Sequence, residues 1–211
     1  MILIVLIFSS LLFGAYISDY LVKGEHLLKE MKSANAKEET PYLYWKAVGY
    51  YEGVKLYARF GDKEGAKRAY ELMEKNAYKA IRGAYTNREP ITELIIFEPR
   101  IYFAEYCDGI LDECFYEEKY EKEEYLELID YFALRKRVKF LRRNNAKYCA
   151  PEDYGKVEAL FNLISVELMR KKPSERKLLE FKDKLIPLLI LTEERLRYAM
   201  KNELRCYTRG R

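Results

Sequence analysis

Two prolines 110 residues apart, Pro41 and Pro151, each open a helix of the same internal layout, and this restricts the chain to a helical architecture. Thr40-Pro41 offers an N-cap hydroxyl followed by proline at the first helical position, where the missing N–H costs nothing. The helix that follows is expected to reach about Phe60. Gly61 suits the left-handed position after a helix end, and Asp62 caps the next helix, with Glu64 in its first turn. That second helix extends to about Ala84. In the other half, Ala150-Pro151 starts a helix with Glu152 and Asp153 in the dipole-favoured first turn, ending near Lys172. Pro173-Ser174 begins a last long helix that passes Arg195 and is expected to bend at Pro187.

The two halves align residue by residue. Pro41, Tyr44, Lys46, Ala47, Tyr50 and Tyr51 correspond to Pro151, Tyr154, Lys156, Val157, Leu160 and Phe161. Two extra residues in the second turn raise the offset to 112. Ala66, Ala69, Met73, Ala77 and Ala84 then fall on Leu178, Phe181, Leu185, Leu189 and Leu196. Both sets follow the three-to-four spacing of a buried helix face. Small residues in the first copy allow close helix approach, whereas the bulky ones in the second require a wider fit, so the copies face different neighbours. The chain is thus expected to be all-α: two similar helical hairpins, residues 23–85 and 149–211, joined by a charged helical middle segment, residues 86–148. Together, residues 23–211 are expected to form one compact unit. Amphipathic hairpins can also align by chance; the shared prolines, shared tyrosine and matched lengths favour a true repeat.

Within the middle segment, Pro90 and Pro99 bracket ITELIIFE, a short apolar run that reads either as a strand or as a short helix. Leu111 to Asp130 is strongly acidic, and Arg135 to Arg143 strongly basic. Tyr131, Leu134, Val138 and Leu141 carry an apolar stripe through the basic block, so a helix from about Lys119 to Asn144 is expected.

Residues 1–22 precede this as a signal peptide or membrane anchor. Met1 to Ile17 holds no charged side chain, the pattern of an export signal. No Lys or Arg precedes the apolar run, and Phe13-Gly14-Ala15 is a poor cleavage site. If retained, the stretch to Val22 is just long enough to span a bilayer of about 30 Å. A buried core helix is the less favoured alternative. Export to the periplasm would place Cys107, Cys114, Cys149 and Cys206 in an oxidising compartment as disulfide candidates, with three possible pairings. On one helix Cys107 and Cys114 would be about 10 Å apart, too far to bond, unless Asp108-Gly109 turns the chain.

The chemistry-bearing patterns are few. There is no phosphate-cradling glycine loop, serine elbow or paired-histidine motif, so no catalytic residue, metal ligand or cofactor is assigned. His26, the one histidine, lies in a polar connector and is read as solvent-exposed. The acidic block Asp112, Glu113, Glu117, Glu118, Glu121, Glu123 and Glu124 lacks the alternating-oxygen loop of a tight calcium site and reads as a solvated face. With 38 basic against 34 acidic residues, the net charge of +4 is too small and too evenly spread for a nucleic-acid binder. Frequent Lys, Glu and Arg together with no Gln is a thermophile pattern. Two sets of residues are candidates for an interaction surface. The basic block Arg135, Lys136, Arg137, Lys139, Arg142 and Arg143 suits an anionic membrane surface or an acidic partner, at about 1 kcal/mol per near-surface cation. Its competing reading is a solvated face, or one paired with the acidic block. Tyr44, Tyr51 and Tyr57 belong to a tyrosine stripe that suits an interface, although their helical period points more strongly to the core.

In the first hairpin, Tyr50-x2-Gly53-Val54-x2-Tyr57…Gly61-Asp62-x3-Ala66-x3-Tyr70 resembles one tetratricopeptide repeat, with Val54 and Met73 where small residues are usual. PYLYWKAVGYYEGVKLYARFGDKEGAKRAYELMEKNA and AKYCAPEDYGKVEALFNLISVEL resemble the two helical-hairpin segments in the N-terminal part of certain outer-membrane-protein-A-type envelope proteins. The second of these commonly begins with Cys-Ala-Pro-Glu, here Cys149-Ala150-Pro151-Glu152. The resemblance covers about half of the chain and implies a periplasmic helical domain attached to the cell envelope. The lipid-accepting cysteine that usually follows the leader has no counterpart before Cys107, and the usual C-terminal peptidoglycan-binding domain has none either. The expectation is a non-enzymatic scaffold or adaptor acting on an envelope protein partner. The alternative is a small helical ligand-binding protein with an apolar cavity between the hairpins.

Overall fold

The computed structural model describes residues 2–90, 92–108 and 113–208, with side chains described for 17–105 (except 91) and 118–207. The chain is mostly helical, at 76% helix. The first half comprises α1 (Ile2–Ser33), α2 (Ala36–Glu39), α3 (Pro41–Arg59) and α4 (Lys63–Thr86). A middle section holds β1 (Ile101–Asp108), β2 (Glu113–Tyr120) and α5 (Glu123–Ile129). The second half comprises α6 (Tyr131–Arg143), α7 (Ala146–Cys149), α8 (Pro151–Leu168) and α9 (Glu175–Lys201), followed by α10 (Arg205–Thr208).

The matched region starts before the prolines. Asn35 and Asn145 both take the left-handed conformation, with φ of 56° and 62°, which asparagine tolerates better than most residues. Each stands just after a helix, α1 or α6, at the start of a one-turn helix, α2 or α7. Thr40 and Ala150 then leave the helical region at φ −135° and −145°, because the residue before a proline is pushed out of it. Asn35-Ala36-Lys37 and Asn145-Ala146-Lys147 are identical. Each unit is thus a helix, a single turn and a hairpin. Thr40 does not cap α3. Its hydroxyl instead donates to the carbonyls of Ala36 (3.1 Å) and Ala80 (3.0 Å), tying α2 to α4.

Helices α3 and α8 form the seam of the molecule, flanked by α4 and α9, with α1 on α3 and α4 and α6 on α8 and α9. The seam pairs equivalent positions. A Cβ on Gly49 would lie 2.7 Å from Cβ of Ala159, and one on Gly53 would overlap Leu163. Tyr57 meets Glu167 one turn further on. Contacts that rise in register on both helices mean parallel packing about an approximate two-fold axis along the helices. Glycine at 49 and 53 permits the close approach. The seam therefore has no room at these positions for an apolar cavity between the hairpins. Around it, Tyr131 stacks on Phe161 (5.6 Å between ring centres, 11° between planes) and Tyr57 meets Phe181 edge-on.

The middle segment departs from the expected run of helix. β1 and β2 pair antiparallel, with Cys107 opposite Cys114 in the register. These two cysteines stand on paired strands rather than on one helix, and their side chains lie outside the described residues. IYFAEYCD and ECFYEEKY are rich in aromatic residues, and this overrides the acidic charge pattern. The single helix expected from Lys119 to Asn144 is broken at Asp130, whose φ of 53° separates α5 from α6. ITELIIFE, in its described part, is neither strand nor helix. Its backbone is satisfied by side chains: Ile95 N–H donates to Asn162 Oδ1 (2.9 Å), Phe97 N–H donates to the Tyr131 hydroxyl (2.7 Å), and that hydroxyl donates to the Phe97 carbonyl (3.0 Å). Helix α9 runs through Pro187 without ending there.

Candidate functional site

The basic block separates into distinct roles because it occupies a full helix. On α6, Tyr131, Leu134, Val138 and Leu141 turn inward and are buried. Arg142, one residue beyond Leu141, reaches into the seam. Arg137 forms a two-pronged contact with Glu193 of α9, at 2.7 and 3.0 Å. Arg135 pairs with Glu98 at 2.6 Å. Lys136, Lys139 and Arg143 remain on the outer arc beside Phe132 and Phe140, which are 40% and 44% exposed. With Arg135 these residues line a groove of about 380 Å³. Positions 132, 136, 139, 140 and 143 share one helix face. Exposed aromatic rings interleaved with cations are unusual on a solvated face and suit a surface that is both acidic and apolar.

The tyrosine candidates lie elsewhere. Tyr44, Tyr51 and Tyr57 are 4%, 4% and 0% exposed, so they form core rather than interaction surface. Their rings fill the space between helices, and the hydroxyls of Tyr51 and Tyr57 are used internally. Tyr57 donates to Glu167 (3.0 Å), and Tyr51 donates to the Leu21 carbonyl (3.3 Å) and to Glu25 (3.3 Å).

A buried charged cluster at the seam gave no signal in the sequence pattern. Lys46 of α3 and Glu158 of α8 are 0% and 1% exposed at their side chains, with Nζ 2.6 Å from Oε2. Tyr42 and Tyr154 donate to the two oxygens of Glu158, and Arg142 Nη1 adds a third donor type at 3.1 Å. Lys46 also donates to Thr92 Oγ1 (2.8 Å), and Arg142 Nη2 donates to the Thr92 carbonyl (2.6 Å). Because the Tyr42 proton goes to Glu158, Thr92 donates to the Tyr42 oxygen across 2.7 Å. Burial raises the Glu158 carboxyl, but Lys46 and the two tyrosine donors outweigh it and hold the group below the ordinary carboxylate value. Burial lowers the Lys46 ammonium, with Glu158 opposing. Burial, then Glu158, pushes the Tyr42 and Tyr154 phenols well up. Tyr42, Thr92, Arg142, Asn145, Lys147, Tyr154 and Glu158 line a small cavity of about 160 Å³. The donors and acceptors of the cluster are mutually consumed, so the arrangement locks the hairpins and the 92–97 segment together.

The lock is one-sided. The counterpart of Glu158 in the first copy is Val48, and the counterpart of Lys46 is Lys156. Lys156 pairs with Glu152 (3.2 Å) and lies over the Trp45 ring at 4.2 Å. A second cluster closes the hairpin turns. Arg170 grips both oxygens of Asp62, Lys177 joins it, and Glu167 accepts from Ser174 N–H at 3.1 Å. Burial raises the Asp62 carboxyl, but Arg170 and Lys177 more than reverse this, placing it far below the usual range.

Cys149, at the end of α7, is bonded to Cys206 of α10, with 5.0 Å between the Cα atoms. Among the described residues, no group of three or more His, Cys, Asp or Glu is placed to hold a metal ion. Nor is any helix of the described residues long and apolar enough to cross a membrane. The side chains of residues 1–16, which carry most of the apolar leader, lie outside the described residues.

These features define a mostly helical protein of two parallel-packed units with a locked, charged seam. The chain is 59% identical over 200 residues to an uncharacterized protein of Aquifex aeolicus (strain VF5), a match spanning 93% of this chain and 90% of that one, and it belongs to the same family. No family model and no solved structure matches it.

Proposed function

We propose that the protein is a non-enzymatic envelope scaffold, which docks an acidic, partly apolar protein partner on the outer face of α6. The observation that carries this reading is the arc of Lys136, Lys139 and Arg143, unpaired among the described residues, around exposed Phe132 and Phe140. The internally satisfied seam supports it, since a rigid, closed core suits a platform better than a catalyst. In this reading residues 1–22 serve as export signal or anchor, the compartment is the periplasm, and the Cys149–Cys206 bond fits an oxidising location. The hairpin pair, with its tetratricopeptide-like first member, is the kind of repeated helical unit that presents extended binding faces.

The test is charge reversal on α6. In native envelope extracts, the wild type should migrate as part of a larger complex. The Lys136→Glu/Lys139→Glu/Arg143→Glu variant should fall to the size of the isolated chain, with thermal stability unchanged because surface substitutions of this kind move stability by only about 0.5 kcal/mol. A wild type recovered solely as an isolated chain, or a complex indifferent to the reversal, would defeat the proposal.

A further inference from the structure

Helix α4 ends in a way that gathers uncompensated positive charge. Asn87 takes the left-handed conformation at φ 50°, and the Arg88 N–H donates back to the Gly83 carbonyl at 3.1 Å. The chain thus folds over the helix end so tightly that a Cβ on Gly83 would meet the Arg88 carbonyl at 2.5 Å. This fold-back brings Arg88 beside Lys79 and Arg82, which stand three residues apart on α4. The three cations, with Gly83, Thr86 and Pro90, line a cleft of about 650 Å³. None of their side chains forms an ion pair or hydrogen bond with a described residue. The neighbouring carboxylates are committed elsewhere: Glu89 accepts from the Leu43 N–H (3.0 Å), and Glu93 faces Lys75 (3.6 Å).

The second copy makes the contrast plain. At the position matching Gly83 stands Arg195, and it is neutralised by Asp153. Asp153 in turn matches Leu43 in the first copy, and Lys79 and Arg82 match Leu191 and Glu194. Where the second copy places a counter-charge, the first carries the apolar Leu43. Three like charges held around one concavity raise the local potential and concentrate anions there.

We infer that this cleft binds a phosphoryl group carried by a small polar molecule. Two arginines offer planar forks matched to phosphate oxygens, and Lys79 adds a point charge. The cleft is several times larger than a bare anion needs, which leaves space for the body that carries it. This site lies on α4 and is independent of the α6 docking face.

Calorimetric titration of the full chain with glycerol 3-phosphate, at constant ionic strength set with chloride, is the test. Saturable binding is expected, weakened at least about tenfold in Arg82→Gln/Arg88→Gln and unchanged in Arg143→Gln on α6. Because Arg82 and Arg88 are exposed, the double variant should unfold at the wild-type midpoint. A parallel flotation with phosphatidylglycerol and phosphatidylcholine vesicles separates the two sources of phosphoryl groups. Arg82- and Arg88-dependent binding to the soluble ester alone assigns a free metabolite-like ligand, and the same dependence with phosphatidylglycerol assigns a lipid headgroup. Absence of saturation with both probes, or binding indifferent to the double substitution, overturns the inference.

Discussion

Replacing Glu158 by Gln isolates the energetics of the seam. The substitution keeps the shape of the side chain but removes the charge that faces Lys46 at 2.6 Å and Arg142 at 3.1 Å. It also sets an NH2 group against donors, since Tyr42, Tyr154 and Lys46 all donate toward this carboxylate. Arg142, with 31% of its side chain exposed, can turn outward, whereas Lys46, fully buried, cannot. Stranding one member of a buried pair costs about 3–5 kcal/mol. For a chain of this size that corresponds to a drop in Tm of roughly 6–20 °C, at about 2–4 °C per kcal/mol. Urea unfolding followed by circular dichroism should show a lower midpoint with an unchanged slope. Lys46→Met/Glu158→Leu should regain most of the loss, because a buried pair is often replaceable by apolar residues of similar volume. The acid limb should change too. The Glu158 carboxyl is depressed in the fold, so its stabilisation is complete above the unfolded carboxylate pKa of about 4.3 and is lost as pH falls through the lower folded value. Glu158→Gln should lack that component. A cost below about 1 kcal/mol, or a double variant as unstable as the two single ones added together, would refute the reasoning.

Breaking the Cys149–Cys206 bond with Cys206→Ser should lower stability by about 4 kcal/mol in the chain-entropy treatment, given its sequence separation of 57; urea midpoints with and without reductant would measure it. Tyr51 is pushed up to about 12, mainly by burial, and Tyr42, Tyr57 and Tyr154 are raised well above their usual value. Their neutral forms stabilise the fold fully below the unfolded phenol pKa of about 10, and that support is lost as pH rises toward the folded values. Absorbance titration at alkaline pH should therefore show a delayed, cooperative tyrosinate step coincident with loss of helix; a single smooth titration centred near pH 10 would contradict it. Gly53→Ala should cost about 1–3 kcal/mol by overpacking, since its new methyl group meets Leu163, and a neutral outcome by thermal melting would show that the seam has slack.

The hairpins were legible because their signals are local. Pro41 and Pro151, Gly61 and the spacing of Ala66, Ala69 and Met73 each act within a few residues, and the structure uses them as expected from caps and periods. The earlier start of the repeat was also present, in Asn35-Ala36-Lys37 and Asn145-Ala146-Lys147, but a left-handed asparagine looks like any polar linker residue until its torsion is known. The strand pair was hidden by charge. Glu113 to Tyr120 is acidic enough to pass for a solvated helix, while its aromatic Phe115, Tyr116 and Tyr120 follow strand preference. The Lys46–Glu158 lock was illegible for a different reason. Nothing in the spacing of a single helix shows that a lysine on α3 will be buried by a glutamate 112 residues later; that follows only from two glycines letting the helices close. Of the surface candidates, Lys136, Lys139 and Arg143 remain outward, and Arg137 and Arg142 were claimed by partners on other elements.

The parallel seam also bears on ancestry. A symmetric pair of half-length chains, packed through their first helices, would repeat every off-axis contact identically on both flanks. Such a homodimer could not carry glutamate at one position and valine at its mate. Lys46 facing Glu158 on one flank, with Lys156 level with Val48 on the other, is an arrangement open only to a fused chain. Joining two copies on one polypeptide releases each half from having to fit itself, and it is this freedom that allows a charge pair to be buried across one flank while the lysine of the other pairs within its own helix.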